Sequence, residues 1–348
     1  MILNQTGEQK VDRPRWSATP GARLLLLSAL LAAFIVGAVV VPLPILTVHP
    51  GPTPDVSKLV SIDGTTYPSK GSFHMTTVTV RPATLVRGVA AFFDPIVSVI
   101  PREAVYTPGK SEKEIVEENA TEMDESGLFA SIAAYREVGE LGPPEGVLVI
   151  ATAGGTPAAK VLEAGDVIVS LDGQPVAGND QLLAVVARHK IGDQLPVAFK
   201  RGTEQRQGTV RLIPTTDDSK PKTSPAIGIT VMTKFATPQQ VHLNAGNIGG
   251  PSAGLIFSLS IVDRLTPGDL THGYTIAGTG TIDSEGNVGP IDGVAQKVEA
   301  AERIHARYFL APKGNDDAAQ ARKAIDTDMK VIEVNTLHDA VVALEKLK

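Results

Sequence analysis

The sequence predicts a mixed α/β (α+β) protein preceded by one N-terminal transmembrane helix. Three observations lead to this fold class. Residues 24–46 contain no charged side chain, short β-branched runs alternate with turn residues, and the C-terminal third alternates strand and helix patterns. With 348 residues, 43% of them hydrophobic, the chain is long enough for two or three domains that each bury a core.

Charge and composition exclude several classes of function. The net charge of −6 and the pI near 5.7 provide no basic surface to neutralise phosphates, so we expect no nucleic-acid partner. The absence of cysteine excludes thiol catalysis, disulfides and cysteine-based zinc sites. The seven histidines lack the spacing of a metal site, so we expect no metal and no cofactor.

The N-terminal segment predicts the localisation of the chain. As a helix, residues 24–46 would span about 34 Å, enough to cross a hydrocarbon core of about 30 Å. By the positive-inside rule, residues 1–23 stay in the cytoplasm and the rest becomes extracytoplasmic, because four basic residues precede the segment: Lys10, Arg13, Arg15 and Arg23. A cleaved signal peptide is the alternative, but its apolar region would run only about 7–15 residues and end at a small-x-small site. We therefore expect an uncleaved single-pass anchor in the cell membrane.

The next segments predict a short tether and the first part of a domain. Residues 47–57 are rich in proline and glycine, as a tether is, and residues 72–80 are β-branched and predict a strand. Residues 112–138 have apolar side chains at helical spacing. Ser111, followed three positions later by Glu114, resembles a capping box at the start of this helix. The domain part covers residues 58–138.

A second unit covers residues 139–213. Its predicted elements are a strand, a helix begun by proline, a strand with an Asp-Gly turn, a capped helix and a hairpin, at residues 146–150, 156–162, 165–176, 179–189 and 195–213. With Gly-Thr-Pro-Ala-Ala at 155–159 and Gly-Asp-Val-Ile at 165–168, it resembles a bacterial PDZ domain. Residues 139–144 lack the usual glycine-hydrophobic pattern of the carboxylate-binding loop, which leaves strand addition at a groove as the expected mode of peptide binding. Residues 214–224 are polar and predict a linker.

The last segment, residues 225–348, predicts an α/β unit. Strands are expected at 227–232, 240–243, 274–282, 308–312 and 330–333, and helices at about 251–265, 293–305, 316–325 and 336–347.

Ser252 is the candidate nucleophile of this unit. It lies in a glycine-rich turn that precedes an apolar helix. Gly249, Gly250 and Gly254 allow a substrate to approach the backbone closely. Because a helix N-terminus exposes unpaired N–H groups, the backbone around Gly249, Gly250 and Ser252 is expected to hold an oxyanion.

Lys297 is the candidate general base. Helical spacing places it on one face with Val294, Val298, Ala301 and Ile304, which are all apolar. In the alternative interpretation, the ammonium group extends from this face to water. If the amine is buried, its pKa falls from about 10.4 to about 7, at roughly 4–5 kcal/mol against the charged form. The neutral amine could then accept the Ser252 proton and return it to the leaving amine.

Together these segments resemble the proteolytic domain of Lon peptidases. Residues 249–254 look like the nucleophile motif of that family, and residues 277–282 and 286–297 look like its lysine-bearing segment. The separation of the two residues, 297 − 252 = 45, is close to that of the family. The resemblance implies a Ser252–Lys297 dyad in which Thr279 contacts the lysine. Residues 122–126 resemble the helix that precedes the second half of the family's domain.

The resemblance also implies how the chain is organised and what it acts on. The PDZ unit becomes an insertion in a Lon-like domain with two parts, 58–138 and 225–348, as in the membrane-anchored, PDZ-containing Lon-like proteins of bacteria. Protein or peptide substrates, recruitment by the PDZ unit and assembly into a homo-oligomeric ring are implied. The chain has no G-x-x-x-x-G-K-[ST] motif, since Gly109-Lys110-Ser111 follows Ala104 where the opening glycine would stand. Hydrolysis is therefore expected to be independent of ATP.

Two other functions fit parts of the sequence. Residues 250–254 satisfy the G-x-S-x-G pattern of α/β-hydrolases, which would also require an acid and a histidine, with Asp283, Asp292, His305 and His338 as candidates. Only 348 − 252 = 96 residues follow the serine, too few for the rest of such a sheet. A non-catalytic PDZ scaffold at the membrane is the other alternative, and the presence of both dyad residues argues against it. His242 and His272 flank the site in sequence and are candidates to line its cleft.

Overall fold

The computed structural model describes residues 20–106, 109–215, 219, 221–314, 319, 322–323 and 327–347. Residues 1–19 of the predicted cytoplasmic segment, which covers residues 1–23, lie outside the described residues. The same applies to parts of the predicted linker at 214–224 and to most of the predicted helix at 316–325.

The N-terminal helix, α1 (Pro20–Val40), is exposed except at Gly37 and Ala38, which are half-buried. Its 21 residues span about 32 Å, so α1 is long enough to cross a membrane, as signal sequences near the N-terminus also are. The helix ends six residues before the predicted end at 46, because Pro42 and Pro44 cannot continue the helical hydrogen bonds.

The predicted tether is also wrong at its start, because residues 42–50 form a strand, β1 (Pro42–Pro50). Leu46, Thr47 and Val48 are buried there. Strand β1 is the central strand of an antiparallel sheet, between β4 (Val78–Thr84) and β5 (Ser98–Pro101). A short helix, α2 (Leu85–Phe92), connects these two outer strands, and the side chain of Thr84 caps it by accepting from Arg87 N at 3.4 Å.

A four-stranded parallel sheet forms the centre of the α/β unit, and one of its strands comes from the first part of the domain. Its order is β19-β18-β15-β3, with β3 (Ser72–Met75), β15 (Thr275–Gly278), β18 (Tyr308–Pro312) and β19 (Lys330–Val334). Alternate side chains enter two different apolar clusters. Ile276 and Leu310 pack in one, and Ala277 and Phe309 pack in the other. This alternation follows from the two-residue period of a strand.

Helices cover both faces of this sheet. Helices α3 (Glu112–Glu137), α5 (Gly254–Leu265) and α7 (Leu337–Glu345) contribute to one cluster, and α6 (Val294–Arg303) contributes to the other. The predicted capping box of α3 is present, since Ser111 and Glu114 exchange hydrogen bonds. Two small antiparallel pairs complete the unit: β2 (Val60–Ile62) with β14 (Val241–Leu243), and β16 (Thr281–Ile282) with β17 (Val288–Gly289).

The inserted unit has its own sheet and its own apolar cluster. The sheet order is β10-β9-β7-β6-β13, and the strands are β6 (Pro144–Thr152), β7 (Val167–Leu171), β9 (Gln194–Arg201), β10 (Glu204–Arg211) and β13 (Ile229–Phe235). Helix α4 (Asn179–Val186) packs on it, and β8 (Gln174–Pro175) pairs with β7. Beyond the sheet, β11 (Ile213–Pro214) pairs with β12 (Pro225–Ala226).

Strand β13 extends the sheet of the inserted unit beyond the predicted end of that unit. We expected this unit to end at residue 213, yet β13 is the edge strand of its sheet and pairs antiparallel with β6. Ile227, just before β13, is buried in the same cluster. The pairing is non-local in sequence, so periodicity alone assigned these residues to the following unit.

Candidate active site

Ser252 lies in a turn two residues before α5, which begins at Gly254 rather than near residue 251. Close packing explains two of the nearby glycines. A Cβ atom at Gly249 would lie 2.7 Å from Asn119 Cβ, and one at Gly254 would lie 2.7 Å from Ile282 Cγ2. The backbone therefore comes close to both α3 and β16, and no larger side chain fits at either position without a shift.

Helix α3 holds the serine turn by two hydrogen bonds. Gly250 N donates to Asn119 O at 2.8 Å, and Ser126 Oγ donates to Pro251 O at 3.0 Å. The first of these bonds uses the Gly250 N–H that we expected to face an oxyanion. Sequence reasoning missed the positioning role of Ser126, although the resemblance at residues 122–126 marked its segment.

Lys297 lies on the apolar face of α6, as the spacing predicts. The residue is only 4% exposed, and its neighbours on α6, Val294, Val298 and Ala301, belong to the apolar cluster on that face of the sheet. The alternative, in which the ammonium group extends to water, is therefore wrong. Lys297 Nζ lies 3.0 Å from Ser252 Oγ and 3.1 Å from Thr279 Oγ1.

Thr279 connects the lysine to the serine turn. It follows β15 directly and is fully buried, and its Oγ1 donates to Ser252 O at 3.0 Å. Gly280 N donates to the same carbonyl oxygen at 2.8 Å. The three predicted side chains thus meet at the carboxyl end of β15, although Ser252 precedes a helix on one face of the sheet and Lys297 lies on the other face.

Burial lowers the pKa of Lys297 from 10.5 to about 8, and the carboxylate of Asp292 opposes part of this effect. At that pKa, about a tenth of the amine is neutral near pH 7. The amine is therefore available both as a proton acceptor and as a proton donor in the physiological range.

A cleft of about 260 Å³ leads to Ser252 and Lys297. Apolar side chains line most of it, among them Met75, Val78, Met123 and Ile248. Backbone of Gly249 and side chains of Thr76 and Thr77 add polar groups. These dimensions suit one side chain of a peptide next to the reacting bond.

The histidines and acids of the rival α/β-hydrolase reading do not line this cleft. His338 is exposed and pairs with Glu137, His305 is exposed, and Asp283 accepts backbone hydrogen bonds in its own turn. His242 pairs with Asp63, and His272 lines a different cavity. Within the described ranges, no three acidic or histidine side chains converge as metal ligands would.

A second groove lies in the inserted unit, between β13 and α4. It has a volume of about 350 Å³ and is lined by Leu182, Leu183, Val186, Ile227, Ile229 and Val231. Ile227-Gly228-Ile229 has the hydrophobic-glycine-hydrophobic pattern that residues 139–144 lack, and Gly228 adopts the left-handed φ of +85°. This segment comes after the rest of the unit in the chain, so the pattern that residues 139–144 lack occurs at a different place in the sequence.

Comparisons with known proteins match both units. Residues 116–212 match the PDZ domain family model, and residues 233–346 match that of the Lon protease (S16) C-terminal proteolytic domain. A Lon protease from Campylobacter concisus is 31% identical over 132 residues, which are 37% of this chain and 16% of that protein. The peroxisomal Lon protease homolog 2 of Caenorhabditis elegans is 36% identical over 107 residues, 30% of this chain and 14% of that protein.

This chain thus spans less than a fifth of the length of these two relatives. Among solved structures, the PDZ domain of an SdrC-like protein from Listeria monocytogenes is 31% identical, with a TM-score of 0.23, over 25% of this chain and 87% of that one. The two family-model matches show that the chain contains a PDZ domain and a proteolytic domain of the Lon protease (S16) type.

Proposed function

We propose that this protein is a membrane-anchored serine endopeptidase that works without ATP, with Ser252 as nucleophile and Lys297 as general base and acid. The observation that carries the proposal is the 3.0 Å contact between Ser252 Oγ and the amine of Lys297, a residue that is only 4% exposed. No carboxylate among the described residues forms an ion pair with this amine, so it is costly to keep charged, and its position next to a hydroxyl needs a functional reason.

The reaction follows from this geometry. Neutral Lys297 accepts the hydroxyl proton while Ser252 Oγ attacks the scissile carbonyl carbon. The tetrahedral intermediate collapses as the ammonium group returns that proton to the leaving amine, which leaves an acyl-enzyme. A water molecule, deprotonated by the same amine, then hydrolyses the ester and restores Ser252. Throughout, Thr279 Oγ1 limits the movement of Nζ.

The oxyanion donors that we propose are the backbone N–H groups of Ser252 and Gly249. Both residues line the cleft. Gly250 N–H donates to Asn119 O, so the role of Gly250 is to shape the turn, with its φ of +93°. Preorganised donors of this kind typically contribute about 3 kcal/mol to stabilising the transition state.

We expect kcat/KM to rise with pH, with half of its maximum near pH 8, because only the neutral form of Lys297 accepts a proton. The rate at pH 7 should be about one-tenth of the plateau. Asp292→Asn removes the charge that raises the Lys297 pKa, and should therefore move the profile to lower pH. Initial rates measured from about pH 6 to about pH 10 check both expectations. A profile already flat at pH 6 would contradict the assignment of Lys297.

Thr279→Val should lower kcat by about 10²-fold with little change in KM, because the isosteric side chain no longer orients Nζ. Thr279→Ser is the matched control, since it keeps the hydroxyl and should retain most of the activity. Steady-state kinetics on an unstructured peptide measure the two parameters separately. An equal loss in both variants would mean that packing by the methyl group, not the hydroxyl, matters at this position.

Substrate recruitment is the proposed role of the PDZ groove. A peptide can add as a strand to β13, which is the edge of its sheet, and place side chains against α4. The chain around Ile227-Gly228-Ile229 would receive a terminal carboxylate. In the chain, β13 is followed by β14 and then by the serine turn. The strand that would bind a substrate tail and the nucleophile therefore lie on one continuous segment.

The localisation that we propose is a single-pass anchor formed by α1, with the PDZ and proteolytic domains extracytoplasmic. The length and composition of α1 and the basic residues that precede it support this topology.

Hydrolysis of an unstructured peptide by the full chain, without ATP, tests the function. Turnover without nucleotide that is not increased by added ATP is expected. Absence of turnover across the pH range, with the fold intact, would instead favour the non-catalytic scaffold.

A further inference from the structure

Helix α2 presents an apolar face that no other described part of the chain covers. Phe92 is 85% exposed, Phe93 is 78% exposed and Val89 is 54% exposed, and Leu85 and Val86 on the same side are also exposed. At about 100° per residue, the four members within the helix lie inside roughly 120° of arc. We call these five residues the α2 apolar face.

The position of the α2 apolar face indicates what it contacts. Helix α2 packs against α1, the helix long enough to span a membrane. Only Val41 separates the end of α1 from β1, so the sheet that carries α2 lies directly at the end of the span. Any bilayer that contains α1 must therefore meet α2 at its surface.

The chemistry of α2 also fits a lipid surface. Its exposed side is apolar and ends in the edge-to-face pair Phe92–Phe93, whereas Arg87 lies on the opposite side of the helix. Short helices with this division lie in the plane of the interface, with the apolar side among the acyl chains and cations near the phosphates. Exposed apolar clusters of this kind are uncommon on surfaces that face water.

We propose that α2 is a second membrane contact, which inserts its apolar face into the leaflet next to the end of α1. This inference rests on the proposed membrane anchor. Together the two helices fix the orientation of the proteolytic domain relative to the bilayer. Twelve residues lead from the end of α1 to Pro52 in the wall of the cleft, so this wall lies within about 40 Å of the membrane. Chain segments that emerge from the bilayer are then the substrates within reach.

Site-specific fluorescence tests the inference, since the chain has no cysteine and each variant carries one label. Val89→Cys, Phe34→Cys in α1 and Val116→Cys on α3 each receive an environment-sensitive fluorophore, in full chains reconstituted in vesicles of phosphatidylcholine and phosphatidylglycerol. Val116 is an exposed apolar residue like Val89 and serves as the matched control. Quenching by nitroxide-labelled lipid is compared with quenching by aqueous iodide.

Lipid quenching at Val89 and Phe34, with iodide quenching at Val116, is the expected result. If the label at Phe34 responds to lipid while the label at Val89 responds to iodide, the anchor stands and the α2 contact is refuted. If neither label responds to lipid, the anchor itself fails. If the label at Val89 responds to neither quencher and quenches itself more strongly as the protein-to-lipid ratio rises, a second copy of the chain covers the face, which also overturns the inference.

Discussion

Ser252→Ala is expected to abolish peptide hydrolysis, with a loss of at least about 10³-fold in kcat. Without the hydroxyl no acyl-enzyme forms, and the remaining donors can only bind the peptide. The fold should be unaffected, because the turn is held through the carbonyl of Ser252, which accepts from Thr279 Oγ1 and Gly280 N and which alanine retains. Hydrolysis of a fluorogenic peptide and thermal unfolding are the measurements.

Ser258→Ala is the matched control for this variant. Ser258 is a buried serine on α5, the helix that follows Ser252, and its hydroxyl donates to Gly254 O within the helix. Its removal should leave kcat nearly unchanged and lower stability by about 1 kcal/mol or less. If Ser252→Ala keeps more than a small fraction of the activity that Ser258→Ala shows, Ser252 is not the nucleophile.

Lys297→Met should abolish hydrolysis and at the same time stabilise the protein. Burial holds the Lys297 pKa near 8 against 10.5 in water, which corresponds to about 3 kcal/mol against the charged form in the fold. Methionine fills a similar volume without this penalty but loses the hydrogen bonds to Ser252 and Thr279. We therefore expect a net gain of about 1–3 kcal/mol in the free energy of unfolding at pH 7.

The dependence of stability on pH has a definite sign. Between about pH 8 and pH 10.5, the unfolded chain keeps the Lys297 proton while the folded chain has lost it. Since stability rises with pH wherever the unfolded state binds more protons, this residue makes the wild type more stable as pH rises through that window. Below pH 8 the amine is charged in both states and its full burial cost opposes folding. The advantage of Lys297→Met should accordingly shrink above pH 8.

Two further variants separate the causes of these effects. Lys297→Arg keeps a charge that is not removed in this pH range, so it should be inactive and less stable than the wild type. Lys330→Met removes an exposed lysine of β19 and should change neither property. A Lys297→Met protein that is less stable than the wild type, with unchanged pH dependence, would contradict the proposal. It would show that burial of the charged Lys297 amine does not destabilise the fold.

Sequence periodicity and motif chemistry located the candidate site well. The stripe around Lys297 predicted its burial because α6 packs one face on a sheet, which is a local rule. Glycines at 249 and 254 were expected to let a substrate approach the backbone, whereas in the structure they allow close packing against α3 and β16. The sequence could not predict which backbone N–H groups of the turn are free to bind an oxyanion. The hydrogen bond that uses the Gly250 N–H goes to Asn119, about 130 positions away in the chain.

The end of α1 and the edge of the PDZ sheet were not predictable, because each segment fits two alternative structures and long-range strand pairing selects one of them. Residues 42–46 are apolar enough for a membrane helix, but β1 has partners on both sides, and two prolines disfavour the helix. Likewise the pattern of β13 fits either domain, and its pairing with β6 adds it to the PDZ sheet.

The sequence by itself determined the residue types and their periodic placement: an apolar span, a serine in a glycine-rich turn, a lysine in an apolar stripe and a threonine between them. Only the tertiary structure decided that the turn and α6 meet at the carboxyl end of β15, that α3 holds the turn and that α2 lies beside α1. The physical reason is the separation in sequence between the residues that interact. Helix and strand patterns follow from neighbours a few residues apart, whereas the contacts that bring chemical groups together join segments whose proximity depends on how whole elements pack.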